Sequence, residues 1–148
     1  MGTSLYVHDM FYSNDAHKKL QTPLFSSVSA GFPSPADDHV EMSLDLNDYL
    51  IDRPAATFLV RARGTSMTGA GIFDGDILVV DKSIKVEPGQ IVIAALDGEF
   101  TVKRLLVGEG KIGWRLQPEN PDYPCLELSD ENDFAVWGVV TGVVRRLG

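Results

Sequence analysis

The chain has 148 residues, 44% of them hydrophobic, and a formal net charge of −8. That length carries one ordinary domain, or a small domain with an arm, and leaves enough apolar residues for a core. The acidic balance excludes unaided DNA binding, which rests on Lys and Arg neutralising phosphates, and a single cysteine, Cys125, excludes a disulfide framework within the chain.

No apolar run reaches the roughly 18 residues of a membrane span. The N-terminus carries Asp9, Asn14 and Asp15, the wrong chemistry for a signal peptide. The expectation is a soluble cytoplasmic protein. Lys18 and Lys19 balance Asp9 and Asp15, so residues 1–30 sum to zero and the whole negative charge lies in residues 31–148.

Taken in chain order, residues 1–40 read as an irregular, extended arm. Pro23, Pro33 and Pro35 break helices, and Ser26, Ser27, Ser29, Ser34 and Gly31 favour loops. Asp45 to Ile51 reads as a helical turn with Asp45 as N-cap and Leu46, Tyr49 and Leu50 on one face. Strands are expected at Thr57 to Ala62, Ile77 to Val80, Gln90 to Leu96, Glu99 to Val107, Lys111 to Leu116 and Ala135 to Val144. Asp74-Gly75-Asp76 reads as the turn before the second of these, in preference to a calcium loop. Many short strands with Gly and Pro punctuation give an all-β domain, preceded by the arm.

The strongest local signal is Asp97-Gly98, a two-residue type I′ turn between β-rich runs. It sets a register in which Leu96 faces Glu99, Ala94 faces Thr101 and Val92 faces Lys103. Lys103 then shares a sheet face with Val92, Ala94, Thr101 and Leu105. Apolar neighbours disfavour an ammonium and lower its pKa, and a neutral lysine amine is a competent base for a serine hydroxyl.

The candidate nucleophile is Ser66, in Gly64-Thr65-Ser66-Met67-Thr68-Gly69. It does not fit the Gly-x-Ser-x-Gly elbow, because Thr68 stands two residues on. His8, His17 and His39 lie in or beside the arm, which argues against a Ser-His-Asp triad. Nor do they have metal-ligand spacing, and Cys125 is alone, so neither a metal nor a cofactor is expected. On pattern alone, Ser66 reads first as a turn residue, Lys103 as an edge-strand residue with its head in water, and Trp114 and Trp137 as core or interface residues. Ala30-Gly31, in Ser29-Ala30-Gly31-Phe32-Pro33, is a bond between small residues in a segment able to lie in a cleft as an added strand.

Several long segments occur together and in one order: Ala30 to Ala36, Gly64 to Met67, Gly71 to Asp81 and Ile91 to Lys103. From about Pro23 to Val144 the chain resembles the UmuD branch of the LexA/UmuD family of self-cleaving Ser/Lys proteases. The resemblance implies a cleavable arm, residues 1–30, and a β-rich peptidase-like domain, residues 31–148. It implies Ser66 as nucleophile, Lys103 as general base, Ala30-Gly31 as the bond cut, and Met67 and Thr65 as the loop that forms the oxyanion site. It further implies a homodimer, cleavage stimulated by a RecA filament on single-stranded DNA during the SOS response, and an accessory role to a UmuC-like Y-family translesion polymerase. Three departures stand out: the bond is Ala-Gly, as in LexA repressors, where the best-known UmuD has Cys-Gly, Met67 to Gly71 differs from the family, and the N-terminus is a few residues longer than usual.

The alternative is a LexA-related self-cleaving transcriptional regulator or co-repressor. A repressor is expected to carry a helix-turn-helix domain of roughly 60 residues ahead of the bond, where this sequence has 30 proline-broken residues of zero net charge. A signal-peptidase-like enzyme would need a membrane anchor, which the sequence does not offer.

Overall fold

The structure, a computed structural model, describes residues 21–25, 27–32 and 40–148, within two units, Met1–Tyr49 and Leu50–Gly148. The three histidines, the segment Met1 to Asp15, and Pro33 and Pro35 lie outside the described residues.

In the first unit, β1 (Thr22–Phe25) pairs antiparallel with β2 (Val40–Leu44), Thr22 opposite Leu44 and Pro23 opposite Ser43. The arm is therefore not irregular throughout. Pro23 argues against a central strand, but a two-stranded ribbon has an outer edge on which a missing N–H costs nothing. Ala30 and Gly31 lie in an exposed bend between these strands, where the Gly31 N–H donates to Ser29 Oγ at 3.3 Å. The helical turn α1 (Leu46–Leu50) starts as expected: Asp45 Oδ1 accepts the Asn47 N–H at 2.9 Å, the work of an N-cap.

The second unit is one seven-stranded antiparallel sheet. Its strands are β3 (Thr57–Arg61), β4 (Ile77–Asp81), β5 (Ile91–Leu96), β6 (Glu99–Val107), β7 (Trp114–Gln117), β8 (Leu126–Glu127) and β9 (Phe134–Val144). The spatial order is β3-β4-β9-β5-β6-β7-β8. The all-β expectation holds. The strand expected from Lys111 starts only at Trp114, because the chain first turns through Gly110 to Gly113, with Gly113 at φ +79°. The short β8 has no periodic signal in the sequence.

The β5–β6 hairpin closes through Asp97 (φ +50°) and Gly98 (φ +84°), the left-handed pair a type I′ turn requires. Its register is the expected one: Val92 opposite Lys103, Ala94 opposite Thr101, Leu96 opposite Glu99.

The pleat sends alternate residues of β5 to two cores. Ile93 joins Ala62, Met67, Ile72, Leu78 and Val80. Val92 and Ala94 join Leu105, Leu116, Leu128 and Val139. A fully buried Leu such as Leu105 or Leu116 contributes roughly 1.5–3 kcal/mol of burial. The two cores also absorb Val139 and Val140 of β9, one on each face. Trp137 is skipped by the β5–β9 pairing at a bulge, stays 46% exposed, and meets Phe100 edge-on at 4.6 Å between ring centroids.

The Asp74-Gly75-Asp76 turn forms with Gly75 at φ +90°. Buried Asp76 accepts from Arg145 Nε and Nη2, both at 2.7 Å, and from the Phe73 N–H. The Arg145 guanidinium holds this carboxyl down at about 2. Arg145 also donates to Gly71 O and lies 4.5 Å above the Phe73 ring, so the end of the chain pins the loop that follows Ser66.

Candidate active site

Ser66 is held from two sides. Behind it, Gly64 (φ +87°) turns the chain out of β3, with its N–H donating to Asp74 Oδ1 at 2.7 Å. Ahead of it, Met67 and Ile72 are both buried in the first core and bracket a 3-10 turn, Thr68–Ala70, in which Met67 O accepts the N–H groups of Ala70 and Ile72. The apolar residues around the serine thus fasten the loop while Ser66 itself stays partly exposed.

The carbonyls of this loop are occupied. Thr65 O accepts Asn120 Nδ2 at 2.9 Å, and Ser66 O accepts the Glu119 N–H at 2.9 Å. The Thr65 hydroxyl meets the Tyr123 hydroxyl at 2.8 Å. The N–H groups of Ser66 and Met67 have no acceptor among the described residues. Two free donors beside a serine hydroxyl are the chemistry an oxyanion needs. Thr65, by contrast, meets the rest of the protein through its carbonyl and hydroxyl, as an anchor of the loop.

Lys103 comes from β6, where pairing with β7 begins only at Arg104, so among the described residues the stretch Glu99 to Lys103 is an open edge. The Lys103 side chain places Nζ 3.1 Å from Ser66 Oγ, 2.8 Å from Thr101 Oγ1 and 3.0 Å from Val102 O. Burial pushes this amine below the ordinary lysine range of 10.5, and no neighbouring carboxylate offsets that cost. A neutral amine has two N–H groups and one lone pair. Thr101 Oγ1 and Val102 O accept the two N–H groups, which leaves the lone pair for the Ser66 hydroxyl.

The sheet coils far enough for β3, at one edge, and β6, fifth in order, to line the same cleft. Val60 to Gly64 form one wall, Phe100 to Lys103 the other, and Met67, Ile72 and Ile93 the floor of a cavity of about 260 Å³. Arg61 and Arg63 are among its lining residues, and Arg61 Nη1 donates to Gly75 O at 2.9 Å.

The structure therefore brings together Ser66, Lys103 and the free N–H of Met67. Thr101, Glu119, Asn120 and Tyr123 have no assigned part in the sequence reading. Thr101 was within its reach, lying two residues before Lys103 on the same strand face. The contacts of Glu119, Asn120 and Tyr123 with the serine loop span fifty residues or more in sequence, and no local pattern marks them.

Among the described residues, no helix is long and apolar enough to cross a membrane. Comparison with known proteins matches residues 23–141 to the Peptidase S24-like family. Protein ImpA of Salmonella typhimurium is 51% identical over 125 residues, covering 84% of this chain and 83% of that protein. Protein MucA of Salmonella typhimurium is 41% identical over 135 residues, covering 90% of each. A LexA repressor of Delftia acidovorans is 42% identical over 128 residues, which is 86% of this chain and 55% of the repressor.

Proposed function

The chain belongs to the Peptidase S24-like family, with UmuD-like relatives, and we propose that it cuts its own Ala30-Gly31 bond with a Ser66/Lys103 dyad. The observation that supports this reading most is the 3.1 Å approach of Lys103 Nζ to Ser66 Oγ, with Thr101 Oγ1 and Val102 O placed to accept the hydrogens of the amine. Neutral Lys103 takes the Ser66 proton as Oγ attacks the Ala30 carbonyl carbon. The N–H groups of Ser66 and Met67 hold the resulting oxyanion, a contribution of a few kcal/mol for each donor, about 3 or 4. Lys103 then passes its proton to the Gly31 nitrogen as the C–N bond breaks. Water, with Lys103 again as base, hydrolyses the Ala30 ester and frees Ser66. The products are the arm, residues 1–30, and the core, residues 31–148.

The pH dependence tests the base. Only the neutral amine can accept the serine proton, so cleavage speeds up about tenfold per pH unit below the Lys103 pKa and levels off above it. Because burial lowers that pKa, the plateau arrives before the ordinary lysine value of 10.5. A rate that stays flat at every pH at which the chain is folded, with no fall on the acid side, would remove Lys103 from the mechanism.

In the cell, this reading makes the cleaved core a cytoplasmic accessory subunit of a UmuC-like Y-family translesion polymerase. The cut is then stimulated in the SOS response by a RecA filament on single-stranded DNA. The core acts as a homodimer, with the exposed Trp137 of β9 at or near the contact. Sedimentation of residues 31–148 as a dimer at micromolar concentration is the expected result, and a monomer there contradicts it. A second reading, a self-cleaving transcriptional regulator, draws on the similarity to a LexA repressor. It keeps the same dyad and bond and differs in partner, so operator binding by the uncut chain would favour it over the polymerase role.

A further inference from the structure

Glu119 touches both halves of the dyad's scaffold, by different parts of the residue. Its main chain grips the serine loop: the Glu119 N–H donates to Ser66 O at 2.9 Å, and Glu119 O accepts the Gly69 N–H at 2.7 Å. Its carboxylate accepts from Arg104 Nε, and Arg104 is the residue next to Lys103 on β6. Arg104 is fixed at its other end by Nη1 donating to Gly89 O at 2.6 Å. Pro118, just beyond β7, lacks the N–H to extend the ladder, and the chain leaves the sheet there toward Ser66. Gly69 is required by the same arrangement, since a Cβ there would stand 2.5 Å from Glu119 O.

We propose that Glu119 is a positioning residue for self-cleavage, setting the distance between Ser66 and Lys103 by holding the loop of one and, through Arg104, the strand of the other. The proposal rests on the Ser/Lys reading above. Among the described residues, strand β6 is unpaired on one side at Lys103, and the Arg104–Glu119 pair ties the next residue of that strand to the residue that grips the serine loop. Both side chains are about a third exposed or less (32% and 28%), so the pair is partly shielded from solvent. Misplacing a catalytic group by about 1 Å costs on the order of a hundredfold in rate.

The test measures self-cleavage of the full chain across pH in Glu119→Gln, Arg104→Met and the double variant, with Ser66→Ala as reference. The expected result is a plateau rate about ten- to a hundredfold lower in each single variant, and no further fall in the double. The pH midpoint should stay at its wild-type value, because the burial of Lys103 is untouched. A merely loosened structure would admit water to the cleft and move the midpoint up toward the ordinary lysine value. Unchanged rates, additive losses, a shifted midpoint, or variants that no longer melt cooperatively would each overturn the positioning role. Cleavage by Ser66→Ala would instead overturn the dyad on which it rests, so the two failures are distinguishable.

Discussion

Ser66→Ala is expected to abolish self-cleavage, by at least about a thousandfold, while the chain stays folded. The loop does not depend on the hydroxyl. It is held by Met67 and Ile72 in the core, by the carbonyls of Thr65 and Ser66, and by Gly64 on Asp74. The described contact of Ser66 Oγ is with Lys103 Nζ, so alanine removes the nucleophile and little else. Lys103→Ala should cost about a hundred- to ten-thousandfold, the range for loss of a general base. Its effect on stability has the opposite sense from that of most buried deletions. The folded pKa is lowered, so the folded state gains relative stability as pH rises toward the ordinary lysine value and loses it as pH falls through the folded pKa. At neutral pH the buried amine is a cost, and removing it should not lower the melting temperature. Gel or mass analysis of cleavage, beside thermal melts, checks both halves. Normal processing by either variant would end the dyad assignment.

The second large effect is expected from Gly31→Glu, which should slow the cut by at least about a hundredfold. In the uncut chain no described residue lies within 4 Å of the position a Gly31 side chain would take, so the bend itself is expected to tolerate the change. In the proposed reaction the situation differs: the Gly31 nitrogen takes the proton from Lys103, so a carboxylate at this position would come close to Nζ. It would be desolvated against Met67, Ile72 and Ile93. It would also favour the charged ammonium, keeping Lys103 protonated where the reaction needs it neutral. Gly31→Ala, which adds one methyl group, should still be cut. Cleavage of Gly31→Glu at the wild-type rate would place the scissile bond elsewhere.

The hairpin was fully legible in the sequence, because Asp97-Gly98 admits few other conformations and fixes register by itself. That register put Lys103 opposite Val92, and with it came the expectation of a poorly solvated amine. The cleft partner was not legible. Ser66 and Lys103 are brought together by the coiling of a seven-stranded sheet, a property of all its strands at once. The arm was misread at Thr22 to Phe25, where a proline that breaks a central strand is harmless on an edge. Trp137, which could be read as a core or an interface residue, is turned outward by a bulge, while Val139 and Val140 go to the two faces of the sheet. The Glu119 clamp was silent in the sequence, because two of its bonds are made by main-chain atoms that any residue type supplies.

The proposed function rests on one bond being cut by one serine. Incubating the purified chain with RecA, single-stranded DNA and nucleotide, then recording its intact mass, tests that directly. The predicted result is a species of residues 31–148 that is absent from Ser66→Ala under the same conditions. An uncut chain, a fragment beginning at a different residue, or the same fragment from Ser66→Ala would contradict it.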